Sequence, residues 1–130
     1  MASLFSKIVS GEIPCYKIAE DEEHFAFLDI FPLTKGHTLV IPKKETDYIF
    51  DISDEEYIRL WMFAKKISFA IKKVIPCKRI GSVVIGFEVS HAHIHLIPLN
   101  NTSEINFSRP KLQLSQKEFE EIAEKIRSGF

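Results

Sequence analysis

The sequence predicts an α+β domain, with an antiparallel sheet of about five strands carrying one long helix and a short C-terminal helix. Three observations predict it. Short apolar runs bounded by turn residues lie on both sides of one long segment of helical periodicity, an order that favours α+β over repeating βαβ units. Two Ser-x-x-Glu capping boxes, Ser53 with Glu56 and Ser115 with Glu118, open the two main helical segments. Histidine alternates strictly with apolar residues from His91 to Leu96, which marks a strand.

Taken in order, Leu4, Phe5, Ile8 and Val9 recur at helical spacing and stop at Ser10-Gly11, so a short helix is expected there. Pro14 then requires an extended exit. Tyr16 to Ala19 and Phe25 to Leu28 flank the acidic cluster Glu20-Asp21-Glu22-Glu23 and predict a hairpin. His37 to Ile41 is β-prone and ends at Pro42, whose missing N–H suits a strand terminus. From Ser53 to the breaker Pro76, Tyr57, Leu60, Trp61, Ala64, Ile67, Ile71, Val74 and Ile75 mark one apolar face. Lys65, Lys66, Lys72 and Lys73 fall mostly on the other, so this helix should pack on the sheet. Arg79 to Ile85 and Ala92 to Leu99 predict two further strands, and Phe119, Ile122 and Ile126 give the inner face of the terminal helix. No repeat or linker interrupts the chain, so one domain is expected over residues 1–130.

Composition removes several functions. Seventeen Lys+Arg against eighteen Asp+Glu give a net charge of −1, which leaves no extended electropositive surface for nucleic acid. The two cysteines, Cys15 and Cys77, form no CxxC, so neither a disulfide scaffold nor a cysteine-rich zinc module is expected. No stretch approaches about 18 apolar residues, and no long apolar run opens the chain. A soluble, cytoplasmic protein without a membrane partner is expected.

His91-Ala92-His93-Ile94-His95 is the segment that carries chemistry. In a strand, alternate side chains share a face, so the three imidazoles should point one way and Ala92, Ile94 and Leu96 the other, one face buried and the other chemical. Three explanations compete. Each ring could simply satisfy a structural hydrogen bond, but three aligned rings need three separate partners. Two could hold a metal, yet neighbours on one face sit about 6.6 Å apart at Cα and the outer pair about 13 Å, so one ion cannot take all three. The third explanation is nucleophilic catalysis at phosphorus, in which a neutral imidazole attacks and its neighbours fix its tautomer and take up negative charge. No G-x-x-x-x-G-K-[ST] loop is present, so phosphate contacts would come from the histidines and nearby N–H groups.

The blocks Phe5-Ser-Lys-Ile-Val-Ser-Gly-Glu-Ile-Pro14, Phe25-Ala-Phe-Leu-Asp-Ile30, Gly36-His-Thr-Leu-Val-Ile-Pro-Lys43 and His91-Ala-His-Ile-His-Leu-Ile97 together resemble the histidine triad (HIT) superfamily, in its Hint-like branch. The resemblance implies a nucleotide-binding domain that cleaves or transfers nucleoside monophosphates, acting as a homodimer. It implies that His93 is the nucleophile, that His91 fixes the ring of His93, and that His95 contacts phosphate oxygens. It places Asp29 on the ribose hydroxyls, a task for an acceptor-only carboxylate. Without the resemblance, Asp29 reads as a turn residue. Phe5, Ile8, Ile13, Phe27 and Leu28 correspond to apolar positions around a purine base, and otherwise read as core. His37 corresponds to a further histidine lining the pocket, and Glu88 and Val89 to the loop beside the phosphates.

The chain departs from the pattern at several places. Phe87 stands where many members carry Gln, Ile80 where Asn is frequent, and Glu88 where a small hydroxyl residue occurs. Some members hold structural zinc through an N-terminal CxxC and a histidine after the Pro-Lys-Lys stretch. Here those positions are Ser3, Ser6 and Glu45, so no metal and no cofactor are expected. The leading expectation is hydrolysis or transfer at a purine nucleoside 5′-phosphoryl group, as in an adenosine phosphoramidate, through a covalent His93 intermediate. The alternatives are a catalytically weak nucleotide-binding module and a metal-dependent hydrolase that uses His91 and His93 as ligands. Apolar residues left uncovered on the long helix add to the expectation of a homodimer.

Overall fold

Each helix begins where a serine side chain can take up free N–H groups of the first turn. Ser3, Ser53 and Ser115 accept from the N–H of Ser6, Glu56 and Glu118, and at Ser115 the Glu118 carboxylate reaches back to complete the box. The computed structural model describes residues 2–130, in the order α1 (Leu4–Val9), β1 (Lys17–Glu20), β2 (His24–Leu28), β3 (Thr38–Pro42), α2 (Asp54–Val74), β4 (Arg79–Val83), β5 (Ile94–Leu99) and α3 (Gln116–Ser128). The strands form one antiparallel sheet in the order β1-β2-β3-β5-β4. The α+β architecture is therefore the expected one.

Alternation along the strands sorts side chains between two faces. Ala26, Leu28, Val40, Ile94 and Leu96 face α2 and α3, where they meet Leu60, Ile67, Ile71, Phe119, Ile122 and Ile126. Phe25, Phe27, Leu39 and Ile41 face the other way and are covered by Phe5 and Ile8 of α1. Because both faces are covered, every residue of β2 and β3 is buried. Gly36 has φ +92°, and a Cβ there would stand 3.1 Å from Ile75 and 3.3 Å from Pro98, so this turn into β3 requires glycine.

The differences from expectation have local causes. The inner face of α2 also includes Phe63 and Ala70, while Tyr57, Trp61 and Val74 are only partly buried. β5 starts at Ile94, not Ala92, because the N–H groups of His91 and Ala92 donate to Val89 and Thr46 outside the sheet ladder. β4 ends at Val83, before Gly86 turns the chain at φ +84°. Among the described residues, no helix is long and apolar enough to cross a membrane.

Candidate active site

His91 and His93 lead into β5, the strand between β3 and β4, and His95 lies within it. Their orientation follows the alternation rule, but the expectation that one face is buried and the other open needs correction. His91, His93 and His95 are 0%, 6% and 7% exposed, as buried as the core opposite. α1 supplies part of the cover, with Phe5 edge-on to His93 at 5.0 Å. Phe107, in the segment after β5, packs edge-on to His95 at 4.9 Å.

Neighbouring groups assign the tautomer of each ring. The His91 carbonyl can only accept, so His93 Nδ1 donates to it at 2.7 Å and Nε2 keeps a free lone pair. The Leu33 N–H donates to His37 Nδ1 at 3.0 Å, which leaves His37 Nε2 to donate to His95 Nδ1 at 2.9 Å. His95 therefore presents an Nε2–H as a donor. His91 Nε2 donates to the Pro42 carbonyl at 2.7 Å. The chain thus builds a free lone pair on one imidazole beside an N–H on the next, the pairing needed for attack at phosphorus with a donor to its oxygens.

His93 and His95 border two adjoining cavities. One, of about 300 Å³, is walled by Phe5, Ile8, Ile13, Phe27, Val89 and Asp29, an apolar slot with a carboxylate at its edge. The other, of about 220 Å³, is bounded by Phe31, Phe87, Glu88, Phe107 and Lys111. Asp29 joins the two. Its Oδ1 accepts the Phe31 N–H at 2.8 Å, so the turn role is real, while Oδ2 lies 3.6 Å from His37 Nε2.

Three sequence-based placements change. Leu28 borders the apolar cavity, but strand alternation sends its side chain into the helix-side core, opposite to Phe27. His37 does not line either of these cavities; it is 1% exposed and stands behind His95 as its hydrogen-bond donor. Ile80 packs against the helix-side core, away from the histidines, so its apolar character removes no contact from this site. Phe87 is 92% exposed at the mouth of the second cavity, beside the exposed Glu88. Sequence reasoning missed Phe107 and Lys111, which lie in a segment without periodicity. They are brought in by the Leu112 N–H donating to the Pro32 carbonyl at 2.9 Å and by Lys111 Nζ donating to the carbonyls of Phe107 and Arg109.

Burial dominates the electrostatics. It pushes His37 down to about 3 and His95 to about 4, and holds His93 below the ordinary imidazole value against the upward pull of its bond to His91. It raises the Asp29 carboxyl to about 6, opposed by the Phe31 N–H. Near neutrality His37 is uncharged, so the 3.6 Å approach of Asp29 to it is not an ion pair there.

Metal fits poorly. Donor atoms of Asp29, His37 and His95 lie within 4.8 Å of one another, but His37 Nδ1 already accepts the Leu33 N–H, so an ion on Nε2 would require a ring stripped of both protons. His91 has both nitrogens engaged, and His93 has its Nδ1 engaged. Ser3, Ser6 and Glu45 offer no thiolate, and their polar atoms bond to one another and to His91.

Comparison with known proteins agrees with this geometry. The HIT domain model matches residues 10–102. An uncharacterized HIT-like protein of Borreliella burgdorferi is 39% identical over 95% of this chain and 94% of its own. An adenosine 5′-monophosphoramidase of Schizosaccharomyces pombe is 37% identical over 98% of each. A crystal structure of a HIT-like protein involved in cell-cycle regulation from Bartonella henselae superposes with a TM-score of 0.84 at 31% identity, over 98% of this chain and 96% of that one. A domain match spanning most of the sequence, with near full-length relatives at these identities, establishes that this chain belongs to the HIT family.

Proposed function

We propose that this protein is a nucleotide-binding hydrolase that cleaves a nucleoside 5′-phosphoryl bond, with an adenosine phosphoramidate or related purine nucleotide as substrate. The observation that carries the reading is the fixed His93 tautomer, whose free Nε2 lies beside a cavity edged by Asp29. The S. pombe relative's name, adenosine 5′-monophosphoramidase, supports the substrate class. The purine occupies the slot of Phe5, Ile8, Ile13 and Phe27, and Asp29 accepts from the ribose hydroxyls. His93 Nε2 attacks the α-phosphorus and the P–N bond breaks, while His95 Nε2–H donates to a phosphoryl oxygen. The leaving nitrogen takes its proton from solvent water at the open side of the second cavity, since His37 and His95 are uncharged near neutrality. Water then attacks the nucleotidyl-histidine, releasing the nucleoside monophosphate and restoring His93.

Rapid mixing with labelled adenosine phosphoramidate and denaturing quench tests this directly. Acid-labile label on His93 is expected. Turnover without label on His93 overturns the covalent route, nucleotide affinity without product points to a binding module, and activity lost on chelator washing points to a metal hydrolase.

We also propose a homodimer. β4 is an edge strand, and the adjacent outer face of α2 leaves Ile58, Met62 and Phe69 exposed. Between them the buried Trp61 Nε1 has no partner among the described residues. Sedimentation showing a monomer at micromolar concentration would refute the pairing. Two free cysteines fit the reducing cytoplasm, where we place the protein.

A further inference from the structure

We propose that Ser3, Ser6 and Glu45 form a metal-free positioning unit that aims His93 through the peptide joining His91 to Ala92. The inference deepens the catalytic reading above and rests on it. None of the three residues touches the proposed reacting atoms; they act through His91.

The starting point is an exposed carboxylate with more partners than its surroundings require. Glu45 Oε1 accepts from the Ser3 N–H at 2.6 Å and from the Ser6 hydroxyl at 2.7 Å, so the loop after β3 grips both ends of the first turn of α1. Ser3 Oγ accepts the Ser6 N–H at 3.0 Å, which is an ordinary helix cap. Its own proton remains, and a ring nitrogen 88 residues away receives it: Ser3 Oγ and His91 Nδ1 are 2.8 Å apart. Since His91 Nε2 donates to the Pro42 carbonyl, its Nδ1 is the acceptor and Ser3 the donor in the uncharged ring. A cap alone explains the Ser6 N–H contact with Ser3 Oγ and none of the others.

The peptide following His91 transmits the effect. A peptide unit is planar, so its N–H and C=O turn together. Here the Ala92 N–H donates to the Thr46 carbonyl at 2.7 Å, and the His91 carbonyl accepts from His93 Nδ1 at 2.7 Å. Thr46 follows Glu45. One short loop therefore holds this peptide at its N–H edge, and through Ser3 holds the ring attached to it. The carbonyl that sets the His93 tautomer has little freedom left. The same helix contributes Phe5, edge-on to His93, and Ile8 in the wall of the apolar cavity, so the element that would seat the base also fixes the nucleophile. The donors to Glu45 hold its carboxyl down at about 2, so the grip persists across neutral pH.

The test uses the full chain with three variants. Ser3→Gly removes the hydroxyl but leaves a tolerated cap residue, Ser3→Thr keeps both functions, and Glu45→Ala removes the grip. NMR of the imidazole nitrogens reads the His93 tautomer without any substrate, and single-turnover kinetics read adduct formation apart from nucleotide affinity. Ser3→Gly and Glu45→Ala should mix the His93 tautomers and slow adduct formation by roughly 10- to 100-fold, with nucleotide affinity nearly unchanged. Ser3→Thr should restore both readings. A single His93 tautomer and an unchanged rate in Ser3→Gly and Glu45→Ala overturn the proposal, as does Ser3→Thr behaving like Ser3→Gly. If His93→Ala still turns over, the catalytic reading falls, and the tautomer measurement alone then decides whether the unit positions His93.

Discussion

His93 and Ile94 are neighbours, 6% and 0% exposed, yet they belong to different kinds of interior. Ile94 joins an aliphatic layer with Ile67, Ile71 and Ile126, where contact needs volume but little direction. His93 joins His91, His95 and His37, where every ring must find a partner for at least one nitrogen and does so at 2.7 to 3.0 Å. Equal burial therefore does different work on the two faces. On the helix side it supplies stability; on the histidine side it fixes protonation states. His24 sharpens the contrast: it is equally buried, yet stacks on Phe63 and bonds to Asp21, away from both cavities beside His93.

The neighbouring pair gives the largest tests. His93→Ala should cut turnover by roughly 10⁴-fold or more, measured under single-turnover conditions, because no other group replaces the nucleophile proposed above. Ile94→Ala should instead cost about 2–5 kcal/mol in urea unfolding, while the protein that remains folded still forms the acid-labile adduct. If Ile94→Ala abolishes the adduct without loss of stability, the division between the faces is wrong. Next in size is His37→Leu, which removes the donor to His95 Nδ1 and leaves the Leu33 N–H unsatisfied; turnover should fall by roughly 10-fold or more with the apolar cavity intact. An unchanged rate would show that His95 orients itself.

The pH dependence should be smaller and two-sided. His37 and His95 have ordinary values near 6.5 when unfolded but about 3 and 4 in the fold, so as pH falls below 6.5 the unfolded chain takes protons first and stability drops. Asp29 acts in the opposite sense, since its folded value of about 6 lies above 3.8 and the native state takes the proton first. Two rings outweigh one carboxyl, so the urea midpoint should fall between pH 6.5 and 4.5, and more steeply in Asp29→Asn. Stability that rises over this interval would contradict the burial of the rings. The smallest effect concerns binding. KM for a nucleotide should rise as pH falls through about 6, because protonated Asp29 loses acceptor capacity, whereas kcat should be less sensitive to acid than an ordinary imidazole would make it, because burial holds His93 below the usual imidazole value. A KM that is flat from pH 7 to 5 would remove Asp29 from the ribose site.

Much of the fold was legible because its signals are local. The capping serines at 53 and 115, Pro42 at the end of β3 and the apolar face of α2 each depend on residues a few positions apart. The site was legible in part. Alternation gave the facing of the triad, but the same rule applied to β2 would have separated Phe27 from Leu28. Phe107 and Lys111 gave no signal, since their segment is positioned by the loop carrying Pro32 and has no pattern of its own.

The sequence by itself set the three imidazoles opposite Ala92, Ile94 and Leu96 through the alternation of side chains, although only His95 lies within β5. Only the tertiary structure decided which nitrogen of each ring carries a proton. That depends on carbonyl, hydroxyl and N–H partners distant in sequence, such as Pro42 and Ser3 for His91 and His37 for His95, and a proton's place is set by the partner it meets in space.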